Sequence, residues 1–173
     1  MKHITFVIGG CRSGKSGHAQ KLAEKTAGKH RIFIATCVPC DDEMRDRIKK
    51  HQEVRDESWT TVEAPILLPD TLAKYGKEEN AVLLDCLTVW IGNLLMYPDI
   101  IQEIDQRISR FIEVLQHVKG QVIIVSNEVG ASVVPENKLA RQFRDIIGIL
   151  NQKTAEAADT VIWTVAGIPV KIK

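Results

Sequence analysis

The run Gly9-Gly10-Cys11-Arg12-Ser13-Gly14-Lys15-Ser16 matches the phosphate-binding pattern G-x-x-x-x-G-K-[ST] at every fixed position. The residue types suit the chemistry. Glycines let a backbone wrap a phosphate without Cβ clashes. Backbone N–H groups at a helix N-terminus, with the helix dipole behind them, attract an anion. Lys15 can reach β- and γ-phosphates, and the Ser16 hydroxyl is a hard oxygen ligand for Mg²⁺. The flanks fit as well. Ile4-Thr5-Phe6-Val7-Ile8 reads as a buried strand leading in, and residues 18–25 read as a helix leading out.

Other residue types with chemistry are scattered along the chain. Asp85 closes the apolar run Ala81-Val82-Leu83-Leu84, a position from which a carboxylate helps to hold Mg²⁺ on a nucleotide. The alternative is a cap for the helix that follows. Glu128, just past the run Val122–Ser126, either orients a hydroxyl or water nucleophile or closes a turn. His51 shares a helical face with Met44, Ile48 and Arg55, and Arg47 lies one turn away. An imidazole can attack phosphorus, and guanidinium groups beside it would neutralise phosphate charge. Seen alone, His51 reads as a surface or half-buried histidine. Arg141 and Asp145 are spaced as an i,i+4 ion pair, although the same stretch also suits a subunit contact or a substrate wall. Cys11, Cys37 and Cys86 follow strand ends, and Cys37-x-x-Cys40 is a lone pair. Small side chains filling a pocket wall account for them more simply than a metal or redox site.

The elements that must position these groups alternate. Strands are expected at 4–8, 31–36, 59–63, 81–85, 122–126 and 160–166, with a short edge strand at 170–173. Helices are expected at 18–25, 44–55, 66–74, 87–95 and 137–158, the second of these opened by Asp41-Asp42-Glu43. Ile101, Ile104, Ile108, Phe111, Ile112, Leu115 and Val118 predict one long amphipathic helix. Leu139, Phe143, Ile146, Ile147 and Leu150 form the expected inward face of the 137–158 helix. Continuous apolar strands separated by helices predict an α/β fold, a mostly parallel sheet covered by helices on both faces. Ligands of such sheets sit outside the C-terminal strand ends. The phosphate loop, Thr36, Asp85 and Asn127-Glu128 all fall there.

Composition narrows the class. With 173 residues, 45% hydrophobic and 26% charged, the chain is expected to be one P-loop nucleotide-binding domain, residues 1–173, that needs no disulfide or structural metal. A net charge of +1 gives no footprint for nucleic acid or an anionic membrane. No stretch approaches the ~18 apolar residues of a membrane span, and the first strand leaves no room for a signal peptide. A cytoplasmic protein with reduced cysteines is expected.

Taken together the motifs resemble one family, the bifunctional adenosylcobinamide kinase and adenosylcobinamide-phosphate guanylyltransferases of cobalamin biosynthesis. The stretches that carry the resemblance begin with the phosphate loop, Ile34-Ala35-Thr36, and Asp41-Asp42-Glu43-Met44 with Arg47, Ile48 and His51. Trp59-x-Thr61-x-Glu63, Leu84-Asp85-Cys86-Leu87-Thr88 and Asn127-Glu128-Val129-Gly130 follow. The most specific part is Val134-Pro135-Glu136-Asn137 through Arg141, Arg144, Gly148, Asn151 and Asp159 to Gly167-Ile168-Pro169.

The resemblance implies a P-loop NTPase fold and two reactions. A nucleoside triphosphate, ATP or GTP, first phosphorylates adenosylcobinamide. GMP then passes from GTP to adenosylcobinamide phosphate through a GMP-histidine intermediate, giving adenosylcobinamide-GDP and pyrophosphate. His51 matches the guanylylated histidine, and His51 and Lys15 are the implied catalytic residues. Nucleotide contacts are implied for Gly9 to Ser16, Ala35, Thr36, Cys37, Gln52, Glu53, Val54, Arg55, Glu63 and Asp85, with Ser16 and Asp85 on Mg²⁺. A homotrimer is implied too. Cys11 stands where alanine is expected, Asp56 where proline is usual and Gly92 where a polar residue is commoner; none removes a group the chemistry needs. Two other readings remain open: a P-loop ATP-binding module that drives a partner, and a small-molecule kinase without nucleotidyl transfer.

Overall fold

The computed structural model describes residues 2–26, 30–38 and 56–173. The strands are β1 (His3–Gly9), β2 (His30–Ala35), β3 (Trp59–Glu63), β4 (Asn80–Asp85), β5 (Gln121–Asn127), β6 (Thr160–Val165) and β7 (Ile168–Lys171). The helices are α1 (Lys15–Lys25), α2 (Leu68–Tyr75), α3 (Leu87–Leu95), α4 (Pro98–Ile101), α5 (Ile104–His117) and α6 (Lys138–Ala157). The expected helix at 44–55 lies outside the described residues.

All strands join one sheet in the order β3-β2-β4-β5-β1-β6-β7. Every pairing is parallel except β6 with β7. The central strands are apolar along their length because both of their faces are covered. Ile4, Phe6 and Ile8 of β1 face a core shared with Leu72, Trp90, Phe111 and Leu150 from α2, α3, α5 and α6. Val7 faces the other way, onto Ala19 and Ala23 of α1. Helix α3 is apolar nearly all round, as suits an element buried between sheet and helices. Its Trp90 ring lies 5.6 Å from that of Phe111. Asn137 caps α6 by accepting from Ala140 N at 3.1 Å.

Three expectations are corrected. The long helix from Ile101 to Val118 is two helices, broken at Gln102-Glu103. Pro98 starts a separate turn, while Glu103 pairs with Arg107 at 2.8 Å at the start of α5. The apolar spacing runs across the break because both helices lie on the same core, and Val118 is buried in the extended cap beyond α5. Leu139 is 48% exposed, because the first turn of α6 overhangs the core that Ile147 and Leu150 fill. Finally, β6 ends at Val165 and the edge strand starts at Ile168, two residues early. Ala166 (φ 49°) and Gly167 (φ 83°) form a tight turn between them.

Candidate active site

The phosphate loop connects β1 to α1 at the C-terminal edge of the sheet. Gly14 sits at φ 89°, a left-handed conformation natural to glycine, and opens α1. Arg12 is also left-handed, at φ 54°. Inside the loop, Ser13 N donates to Gly10 O at 3.3 Å. Lys15 is buried, and its Nζ donates to Gly10 O at 3.1 Å. The ammonium therefore folds back onto its own loop.

Strand register brings further predicted residues to the same edge. Ala35 is paired with Glu63 on one side and Asp85 on the other. Gly9 is paired with Asn127 and with Thr164. Strand β5 thus separates the phosphate loop from Asp85, an order the sequence does not reveal. The charges of Lys15 and Asp85 both reach the buried Cys86 thiol. Burial pushes that thiol up to about 12, the Asp85 carboxylate adds to the rise, and Lys15 opposes it. Cys86 is therefore an inert core group. Asp85 does not cap α3; the cap position is Cys86, with no side-chain hydrogen bond.

Thr36 fixes this corner. Its hydroxyl donates to Cys86 O at 2.8 Å and accepts from Cys86 N at 2.8 Å. Asn93 of α3 donates to Thr36 O at 2.7 Å and to Pro65 O at 3.1 Å. Next to it, Thr88 Oγ1 lies 3.2 Å from Ser126 Oγ and accepts from Asn127 N at 2.7 Å, while Asn151 donates to Asn127 O at 3.1 Å. Asn93, Thr88 and Asn151 were missed as supports. Their signal was a polar residue on an otherwise apolar helical face.

Other candidates resolve differently. The Glu128 carboxylate accepts from Gly130 N at 2.6 Å, so it closes a turn. Arg141 makes no pair with Asp145. It donates to Pro135 O at 3.0 Å and Glu136 O at 2.5 Å, and Arg144 donates to Ser132 O at 3.2 Å, so both brace the loop before α6. Cys11 is exposed and Cys37 half-buried. Among the described residues no three His, Cys, Asp or Glu groups converge for a metal. Hard oxygen donors for Mg²⁺ are present at the edge in half-buried Ser16 and Asp85. His51, Gln52, Glu53, Val54, Arg55, Arg47 and Cys40 lie outside the described residues. No helix of the described residues is long and apolar enough to cross a membrane.

A family model described as cobinamide kinase / cobinamide phosphate guanyltransferase matches residues 5–172. The bifunctional adenosylcobalamin biosynthesis protein CobP of Pseudomonas aeruginosa is 40% identical over 168 residues, 97% of this chain and 96% of its own. The bifunctional adenosylcobalamin biosynthesis proteins CobU of Salmonella typhimurium and Escherichia coli are each 40% identical over 182 residues, 98% of this chain and 99% of theirs.

Proposed function

This chain belongs to the cobinamide kinase / cobinamide phosphate guanyltransferase family, and we propose from that premise that it carries out two successive reactions on one domain, residues 1–173. Membership makes it a transferase of cobalamin biosynthesis with kinase and guanyltransferase activities.

In the first reaction the aminopropanol hydroxyl of adenosylcobinamide attacks the γ-phosphorus of ATP or GTP. A new O–P bond forms, the bond to the β-phosphate oxygen breaks, and the nucleoside diphosphate leaves as the hydroxyl proton is lost. This step needs positioning and charge neutralisation rather than a protein nucleophile. The phosphate loop supplies oriented N–H groups and Lys15 a cation. Ser16 and Asp85 would hold Mg²⁺, which neutralises charge on the phosphate oxygens when bound. Ala35, Thr36, Cys37, Glu63 and residues 52–55 would complete the nucleotide site.

In the second reaction a neutral ring nitrogen of His51 attacks the α-phosphorus of GTP, and pyrophosphate leaves. A phosphate oxygen of adenosylcobinamide phosphate then attacks the GMP-histidine. The P–N bond breaks, His51 is regenerated and adenosylcobinamide-GDP is released. Splitting the transfer means GTP and the bulky corrinoid need not react directly. A cation beside His51 would favour the neutral imidazole, and Arg47 is the candidate by helical spacing in the sequence. We also propose a homotrimer. The exposed apolar face of Trp163 and Val165 on β6 with Ile168 and Val170 on β7 is consistent with a buried subunit contact.

The observation that carries this reading is the intact phosphate loop between β1 and α1, with Asp85 on the same sheet edge, in a chain matched along nearly its whole length. Lys15→Ala should lower kinase turnover on the order of 10²-fold or more, measured as labelled phosphate reaching adenosylcobinamide. Turnover near that of the unsubstituted protein would overturn the assignment. A protein that hydrolyses ATP but phosphorylates no corrinoid would be a partner-driving module instead.

A further inference from the structure

The β6–β7 turn touches the phosphate loop, and the two-reaction account does not use it. Gly167 N donates to Ser13 O at 2.9 Å. The other backbone hydrogen bond into residues 10–14 from outside them, His18 N to Gly14 O at 3.0 Å, comes from the helix the loop itself opens, so among the described residues the hairpin alone reaches the loop from elsewhere in the fold. Packing is equally close. A Cβ added to Gly14 would lie 3.2 Å from Gly167 Cα, so the two glycines meet backbone to backbone. A Cβ added to Gly9 would fall against the Thr164 carbonyl oxygen at the end of β6. The turn has its own backbone demand, since Ala166 and Gly167 are both left-handed, the form of a two-residue hairpin turn.

A trans peptide points its C=O and N–H in opposite directions. Holding Ser13 C=O toward the hairpin therefore aims the Gly14 N–H away from it, toward the side of the loop where an anion is cradled. We propose that the Ala166-Gly167 turn is a positioning element for the nucleotide site, and that Gly167 sets the orientation of the Ser13–Gly14 peptide. This rests on the reading of residues 9–16 as the phosphate site. Gly167 touches no substrate; it acts through the loop.

The test compares Gly167→Val, Gly167→Ala and Gly167→Asn in the full chain by calorimetric titration with magnesium GTP, with thermal unfolding and steady-state kinase kinetics alongside. A Cβ added at Gly167 meets no atom within 4 Å, so Gly167→Ala acts through backbone preference, at φ 83°. Valine resists the left-handed region most and asparagine tolerates it. GTP affinity should fall about tenfold in Gly167→Val and about threefold in Gly167→Ala, and return to within about twofold in Gly167→Asn. The nucleotide KM should rise more than kcat falls. A purely structural hairpin would lower the unfolding temperature and leave nucleotide affinity unchanged. If Gly167→Val does not fold, Gly167→Ala decides. A folded Gly167→Ala that binds GTP as tightly as the unsubstituted protein overturns the proposal. Lys15→Ala, titrated in parallel, separates the two failures. If it loses affinity while Gly167→Ala does not, the hairpin role alone is wrong. If Lys15→Ala binds GTP unchanged, the phosphate-loop reading itself falls.

Discussion

Thr36 is fully buried, and its hydroxyl satisfies both backbone polar groups of Cys86, the residue after Asp85. Replacing it with valine keeps the volume, strands the buried Cys86 N–H, and leaves Cys86 O with one acceptor bond, from Trp90 N at 3.2 Å. Thr36→Val should therefore destabilise the protein by about 2–3 kcal/mol. A chain of this size then loses on the order of 5–10 °C in unfolding temperature, measured by calorimetry. A loss under about 2 °C would mean that Thr36 does not hold the Asp85 corner. Sequence made the chemical groups here legible and their supports much less so. Lys15 and Ser16 lie inside a contiguous motif, and Asp85 ends an apolar run. Thr36 meets Cys86 fifty positions along the chain, across a strand pairing that no local pattern encodes. Arg141 looked like a partner for Asp145 because spacing reports neighbours along a helix. The carbonyls of Pro135 and Glu136 were nearer acceptors.

At the scale of elements, hydrophobic pattern was a reliable guide to strands and helices and a poor one to their interruptions. The seven residues from Ile101 to Val118 do share one face, but that face belongs to α4, α5 and the cap beyond. Periodicity records burial, and burial continues where hydrogen bonding breaks. The β6–β7 turn was hidden because Ala166-Gly167 carries a weaker turn signal than Asn-Gly. That weakness can be tested. Ala166 is strained at φ 49°, and asparagine adopts this region more readily. Ala166→Asn should stabilise the protein by roughly 0.5–1 kcal/mol, raising the unfolding temperature by about 1–4 °C. A lower unfolding temperature would contradict the turn geometry.

Across the whole molecule, the sheet order β3-β2-β4-β5-β1-β6-β7 puts the phosphate loop, Asp85, Ala35 and Glu63 along one edge. A parallel sheet covered on both faces was legible from continuous apolar strands. The insertion of β5 between β1 and β4 was not, because every central strand is similarly apolar. The proposed homotrimer would cover the exposed apolar residues of β6 and β7. Sedimentation equilibrium at micromolar concentration should give about three times the 19.4 kDa chain mass, and a 19.4 kDa monomer would refute it. We propose a division of labour within one chain, in which kinase and nucleotidyl transfer chemistry part at His51. Its most direct test is incubation with α-labelled GTP of the unsubstituted protein and of His51→Ala, with kinase activity assayed on both. The unsubstituted protein should carry acid-labile, alkali-stable label. His51→Ala should carry none and transfer no GMP, yet still phosphorylate adenosylcobinamide. Label on His51→Ala at the normal rate, or loss of both activities in a folded His51→Ala, would contradict the account.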